Sequence, residues 1–273
     1  MNTNDHPVFD HGIISYYLIC FCTMMAASVG SLVVNLVAIF CFPSFDRTAV
    51  RGIGAAAGSL FIAFVFWLYF RKEGYKGILN RNKFFWAFLM MLPVLAVHYT
   101  GSFISWGQFG CSGKFVIALL SALTPGFTEE MAFRGLGVAN FMRRAKTGKD
   151  IRVIFWLSSI TFGLVHILNI TAGGDVFSCV IQSFYAIGIG MIFGAVYLRT
   201  GNLWPTIIAH ASLDYLEFLR GDLDVSGGVM TGLGVGDWVT IAACVVGAVV
   251  ALILMNKKHD EEILALWSKK WGQ

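Results

Sequence analysis

Charge is what this 273-residue sequence has least of: Asp, Glu, Lys and Arg together make up 13%, against roughly 25% in an ordinary soluble domain. Apolar and aromatic residues reach 57%. Too little polar surface is left to cover a globule of this size, which excludes an ordinary cytosolic enzyme, and so much apolar material excludes a disordered chain. Cysteine gives no framework either. The six are Cys20, Cys22, Cys41, Cys111, Cys179 and Cys244, with no Cys-x-x-Cys pair, so neither a disulfide scaffold nor a thiolate zinc site is indicated. The net charge of +4 is too small to argue for nucleic acid. No Lys or Arg precedes the first apolar run, which speaks against a cleaved signal peptide. There is no P-loop, no nucleophile elbow, no His-Glu-x-x-His pair and no setting for a catalytic cysteine. The class left is a polytopic membrane protein.

What is present is a series of long apolar runs. A helix that crosses the hydrocarbon needs about 20 mostly apolar residues. Eight runs qualify, at about 13–41, 53–70, 84–106, 115–142, 152–170, 177–198, 203–219 and 238–255. The expected fold is therefore all-α, a single integral membrane domain over 1–273 built as a transmembrane helix bundle of about eight spans. The first run is long enough to tilt or break at Gly30. Of the 20 Lys and Arg residues, 15 fall in the loops and tail on one side, four on the other, and Arg134 inside a span. Basic loops stay inside, so both termini are expected in the cytoplasm, with the chain multi-pass in the cell membrane. In the tail, 256–273, Ile263, Leu264, Trp267 and Trp271 recur at helical spacing among lysines, the pattern of an interfacial amphipathic helix on the bilayer.

An ionisable side chain at the bilayer centre costs about 2.5–3.5 kcal/mol on insertion scales, so such residues point to function. Here they cluster. The fourth run reads SALTPGFTEEMAFRGLG, with Glu129, Glu130 and Arg134; the fifth reads TFGLVHILN, with His166; the seventh reads LWPTIIAHASLD, with His210 and Asp214. Glu130 and Arg134 stand four apart and can pair on one helix face. Glu129 is rotated by roughly 100° from Glu130 and is the carboxylate left to face a cavity. His210 and Asp214 also stand four apart, so Asp214 can accept from His210 and fix its tautomer. Pro125 and Gly126, one turn earlier, are expected to loosen the helix and free backbone groups.

A carboxylate with two histidines suits two chemistries. Glu129 can act as a general base on water, with His166 and His210 positioning that water or stabilising an oxyanion. Glu129, His166 and His210 also make a set for a divalent metal such as Zn2+ with an open position for water. Both stay open at this point. Against these stand structural readings: a buried Glu–Arg pair can serve packing alone, and His98 in the third run reads as a hydrogen-bonded packing residue. GIGMIFG, with Gly188, Gly190 and Gly194, lies inside an apolar run and reads as close helix packing, not as a nucleotide loop.

The three segments, EEMAFR, FGLVH and HASLD in that order, fit EExxxR, FxxxH and Hxxx(N/D). They resemble the CPBP family, the CAAX-protease and bacteriocin-processing (Abi-like) group of intramembrane endopeptidases. The resemblance covers about 115–219, the expected catalytic core. It implies that Glu129 activates the hydrolytic water, that Glu130 and Arg134 organise its helix, that His166 helps hold the water, and that His210 stabilises the oxyanion. Asp214 stands at the companion position, where relatives with Asn donate to the oxyanion; an Asp favours an orienting role. The implied partners are the lipid bilayer and a membrane-associated peptide or protein substrate, cut with or without a prenyl group. Two other readings share the buried charges: a transporter with a carboxylate and histidine relay, although no internal repeat is seen, and a non-catalytic immunity or scaffold protein of the same fold.

Overall fold

The computed structural model describes residues 8–44, 47–77, 82–104, 115–220 and 235–273. His6, Cys111, Lys114 and most of the glycine-rich segment 226–237 lie outside them. Among the described residues there are helices and turns and no strand. Helix α1 is Val8–Cys41, α2 Arg47–Lys72, α3 Phe84–Ile104 and α4 Phe115–Glu130. A π-helix, Met131–Val138, and a short α5, Ala139–Met142, continue α4. Then come α6, Gly148–Leu164, with a 3-10 extension Val165–Ala172; α7, Val176–Thr200; α8, Trp204–Arg220; α9, Val235–Leu254; and α10, Asp260–Trp271.

The burial pattern is that of a protein whose solvent is lipid. Phe85 is 85% exposed and Phe40 83%, while Arg134 has no exposed surface at all. Water would reverse that order, whereas a hydrocarbon surround accepts Phe and excludes guanidinium. Four helical segments are long and apolar enough to cross a membrane, Gly12–Cys41, Val50–Lys72, Gly148–Thr171 and Val176–Thr200. A fifth is reached if α9 and the tail, bent by 57°, count as one span. The eight apolar runs all form helix, but eight spans are not reached on length and composition. Helix α4 has 16 residues before the π-helix begins and α8 has 17, each short of the roughly 20 a span requires.

Helix α1 runs without a break through Gly30, against the expectation of a bend there. Gly30 serves packing instead: a Cβ on it would lie 2.3 Å from the Gly54 carbonyl oxygen and 2.7 Å from the Gly58 backbone. The glycines let α1 and α2 cross backbone to backbone, the small-residue contact of membrane helices. GIGMIFG behaves in the same way. A Cβ on Gly188 would meet the Cys244 carbonyl at 2.7 Å, and one on Gly190 the Ser159 carbonyl at 3.0 Å, so α7 lies close against α9 and α6. The five described cysteines are all free.

Helix α10 turns its apolar face to the protein. Ile263, Trp267 and Trp271 are buried, so the side chains that the sequence assigns to the lipid interface are here the docking face. Trp267 Nε1 donates to the Leu198 carbonyl at 3.0 Å and Trp271 Nε1 to the Ala139 carbonyl at 2.9 Å. Lys270 Nζ donates to the Gly201 carbonyl at 2.7 Å, and Asp260 pairs with Arg152. Ala139 follows the π-helix, Arg152 opens α6, and Leu198 and Gly201 bracket the α7–α8 turn. One short helix thus fastens the near ends of all three motif-bearing elements. It also explains a mismatch of depth in the sequence, where His210 lies early in its run and His166 late. The turn Gly201–Asn202–Leu203 is buried beneath α10, so α8 starts inside the protein, whereas α6 starts at a capping box, Thr147 with Asp150, nearer the surface.

Candidate active site

The EExxxR motif straddles the point where α4 becomes a π-helix. The N–H of Ala139 reaches back to the Arg134 carbonyl, five residues earlier, the bonding that defines the π form. Such widened turns are rare and recur at functional sites. The departure from α geometry lies at Met131–Val138, not at Pro125 and Gly126, around which α4 remains helical. The sequence around it is small on the side facing α1: a Cβ on Gly137 would lie 2.8 Å from the Tyr16 ring, and Cys20 Sγ donates to the Ala132 carbonyl at 3.5 Å. Gly126 has a different part from the one expected. A Cβ there would lie 2.8 Å from both the Ala211 backbone nitrogen and the Ala211 Cβ, so α4 and α8 touch one residue from His210. A Gly126→Val variant should force the two helices apart and lower any hydrolytic rate by about 100-fold, the scale of a 1 Å misplacement. Turnover within two-fold of the parent would show that this contact does not set the site.

Glu130 and Arg134 form the expected pair, Nη1 to Oε1 at 2.7 Å, and both are fully buried. The pair does more than compensate itself. His210 Nδ1 lies 3.1 Å from the same Glu130 oxygen, and Arg134 Nη2 donates to the Gly190 carbonyl at 3.3 Å. The guanidinium also sits over the Phe162 ring at 4.1 Å, a cation–π contact strengthened by desolvation. Phe162, the first residue of FGLVH, joins the three motifs. Its ring centroid is 5.4 Å from that of His166 and 5.7 Å from that of His210, and its carbonyl lies 2.9 Å from His166 Nδ1. Sequence reading gave Phe162 no role; its place one helical turn before His166 was the available signal.

The hydrogen bonds fix the histidine chemistry. A carbonyl only accepts, so His166 Nδ1 carries a proton and donates to Phe162, and Nε2 is the nitrogen turned away from that contact. His210 has a carboxylate at each ring nitrogen, Glu130 at Nδ1 and Asp214 Oδ2 at 3.5 Å from Nε2. An ionised carboxylate only accepts, so each contact draws on a proton of the ring, and both nitrogens are placed to donate. Glu129 takes no part in these pairs. Its Oε2 is buried and has no hydrogen-bond partner among the described residues, although the side chain lies within electrostatic reach of His210 and Asp214.

His166, His210 and Asp214 line one cavity of about 110 Å³, room for a few water molecules at roughly 30 Å³ each. The sequence missed two of its residues. His98, read there as packing, is in the wall, with Nε2 3.6 Å from Glu217 Oε1. Glu217 continues the His210–Asp214 stripe of α8 by one more turn, and Tyr99 Oη to Ser212 Oγ at 2.6 Å holds α3 against that helix. Glu129 is not among the residues lining the cavity. Among the described residues no three His, Cys, Asp or Glu side chains are grouped so as to hold one metal ion.

Residues 111–216 match the family model described as Rce1-like, type II CAAX prenyl endopeptidase Rce1-like. That stretch contains Glu129, Glu130, Arg134, His166, His210 and Asp214. No curated protein and no solved structure matches the chain significantly. The residues the sequence singled out, the buried network that connects them and the family match coincide on one segment: residues 111–216 match the Rce1-like model, that of a CPBP-family CAAX protease.

Proposed function

We propose that this multi-pass membrane protein is an intramembrane endopeptidase that hydrolyses a peptide bond of a membrane-associated protein or peptide, using water activated by Glu129. The observation that carries the reading is a buried carboxylate oxygen with no partner on a side chain within electrostatic reach of His210 and Asp214, which line a small cavity together with His166. An unpartnered buried acid is costly, and a general base has to leave its oxygen unengaged to receive a proton.

The roles follow from hydrogen-bonding capacity. Glu129 takes a proton from water as the water oxygen bonds to the scissile carbonyl carbon. His166, with its proton on Nδ1, offers Nε2 as acceptor to the other water hydrogen and so orients the attack. His210 donates from Nε2 to the oxyanion of the tetrahedral intermediate, with Glu130 accepting at Nδ1 and Asp214 Oδ2 standing 3.5 Å from Nε2 as a charge partner. When the C–N bond breaks, the proton held by Glu129 passes to the leaving nitrogen, the other water proton stays on the new carboxyl group, and a carboxylic acid and an amine are the products. Arg134 touches no reacting atom and keeps Glu130 in place. No step is routed through a metal.

The test is cleavage of a panel of membrane-associated peptides by the purified, reconstituted chain, with products identified by mass spectrometry. Wild-type protein should cut, and His210→Ala should fall by about 100-fold or more, the usual loss on removing one oxyanion donor. Equal turnover by His210→Ala would reject the assignment.

A further inference from the structure

The cavity and α10 lie at opposite ends of the bundle. The cavity draws His98 from the second half of α3, Gln182 from the first half of α7, Glu217 from the second half of α8 and Thr240 from the first half of α9. Helix α10 holds the other ends: Leu198 near the end of α7, Gly201 just before α8, and Arg152 at the start of α6. At 1.5 Å per residue, Gln182 is about 24 Å along α7 from Leu198, and Glu217 about 20 Å along α8 from Trp204. The hydrocarbon is about 30 Å thick, so the polar wall reaches most of the way to the face opposite α10.

Charge says which face that is. Among the described residues, fourteen Lys and Arg belong to the loops, helix ends and tail at the α10 end, and three, Arg47, Arg51 and Arg220, to the other end. The bias of basic residues toward cytoplasmic loops puts α10 inside. No Lys or Arg lines the cavity, whose ionisable groups are His98, His166, Tyr185, His210, Asp214, Glu217 and Cys244.

We infer that the cavity opens toward the extracytoplasmic face of the membrane and receives the outward-facing segment of a membrane-anchored or exported polypeptide. The side of access stands on connectivity and charge alone; only the polypeptide occupant rests on the proteolytic reading above. In the other orientation, fourteen described cationic side chains would face outward and α10 would close the bundle on the outside.

The test is thiol labelling in spheroplasts, in a chain whose six cysteines are replaced. Glu217→Cys and, separately, Gln182→Cys are treated with a membrane-impermeant maleimide, with Arg144→Cys as the marker of the α10 end. The expected result is labelling of Glu217→Cys or Gln182→Cys in intact spheroplasts and of Arg144→Cys only after permeabilisation. A fluorescent protein fused after Gln273, in an otherwise unaltered chain, should fluoresce as a cytoplasmic protein does. Labelling of both cavity positions only after permeabilisation, labelling of neither under any condition, or a dark fusion would overturn the inference. Labelling needs no hydrolysis, so a chain that labels from outside and cuts no peptide would count against the proteolytic reading and leave the side of access standing.

Discussion

Glu129→Gln should lower peptide hydrolysis by about 10²–10⁴-fold, the usual contribution of a positioned general base, with no loss of thermal stability. The two halves of this expectation have one cause. Glu129 Oε2 is buried without a hydrogen-bond partner, so the change to an amide breaks no hydrogen bond at that oxygen. Removing an unpartnered buried charge relieves a desolvation cost, and the melting temperature should hold or rise. Residues kept for packing behave in the opposite way, since their replacement costs stability first. The neighbouring carboxylate supplies that contrast. Glu130→Gln weakens the contacts to both Arg134 and His210 and should lower stability together with rate. A Glu129→Gln chain that melts well below wild type, or that turns over within a few-fold of it, would remove Glu129 from the reaction.

Arg134→Met should produce the largest loss of stability of any single replacement in the domain, about 3–5 kcal/mol. Arg134 has no exposed surface, and its guanidinium contacts the Glu130 carboxylate, the Gly190 carbonyl and the Phe162 ring. Without it, Glu130 keeps only His210 as a charge partner among the described residues, and a fully buried carboxylate is left undercompensated in the core. Arg134→Lys should recover little, because an ammonium does not span a carboxylate and a carbonyl while lying flat on a ring. A double change, Glu130→Gln with Arg134→Met, should regain part of the loss, because the penalty belongs to the charge left behind and not to the pair as such. Thermal unfolding in detergent reads all three. An Arg134→Met protein as stable as the parent would make the network incidental.

The parts of the molecule that the sequence made legible are those set by composition and by spacing along one helix. Apolar runs mark every helix from α1 to α9, because lipid-facing and core-facing residues are alike apolar in a membrane bundle. The i,i+4 spacing marks the Glu130–Arg134 pair and the His210–Asp214 contact, because both stay within one element. What it did not make legible depends on how elements meet. The π-helix over Met131–Val138 breaks the 3.6-residue period on which face assignments rest, and its small side chains matter through their closeness to Tyr16 and Cys20 of α1. Phe162 is one of 24 phenylalanines; its spacing from His166 marks it in the sequence, but its role shows only in the approach of Arg134, His166 and His210. His98 reads as packing until α3 is set against α8, where Glu217 meets it. The tail shows the same limit: an amphipathic pattern reports that one face is apolar, not whether lipid or protein covers it, and here the α7–α8 turn and the end of the π-helix do.

The claim at the centre of this account is that water, activated by a carboxylate, attacks the peptide directly. The most direct measurement is intact-mass spectrometry of the purified protein and its peptide products, quenched during turnover in heavy-oxygen water. The expected result is one heavy oxygen in the new carboxylate of the product and an enzyme of unchanged mass at every time point. An enzyme that carries the mass of an acylated fragment during turnover would contradict it.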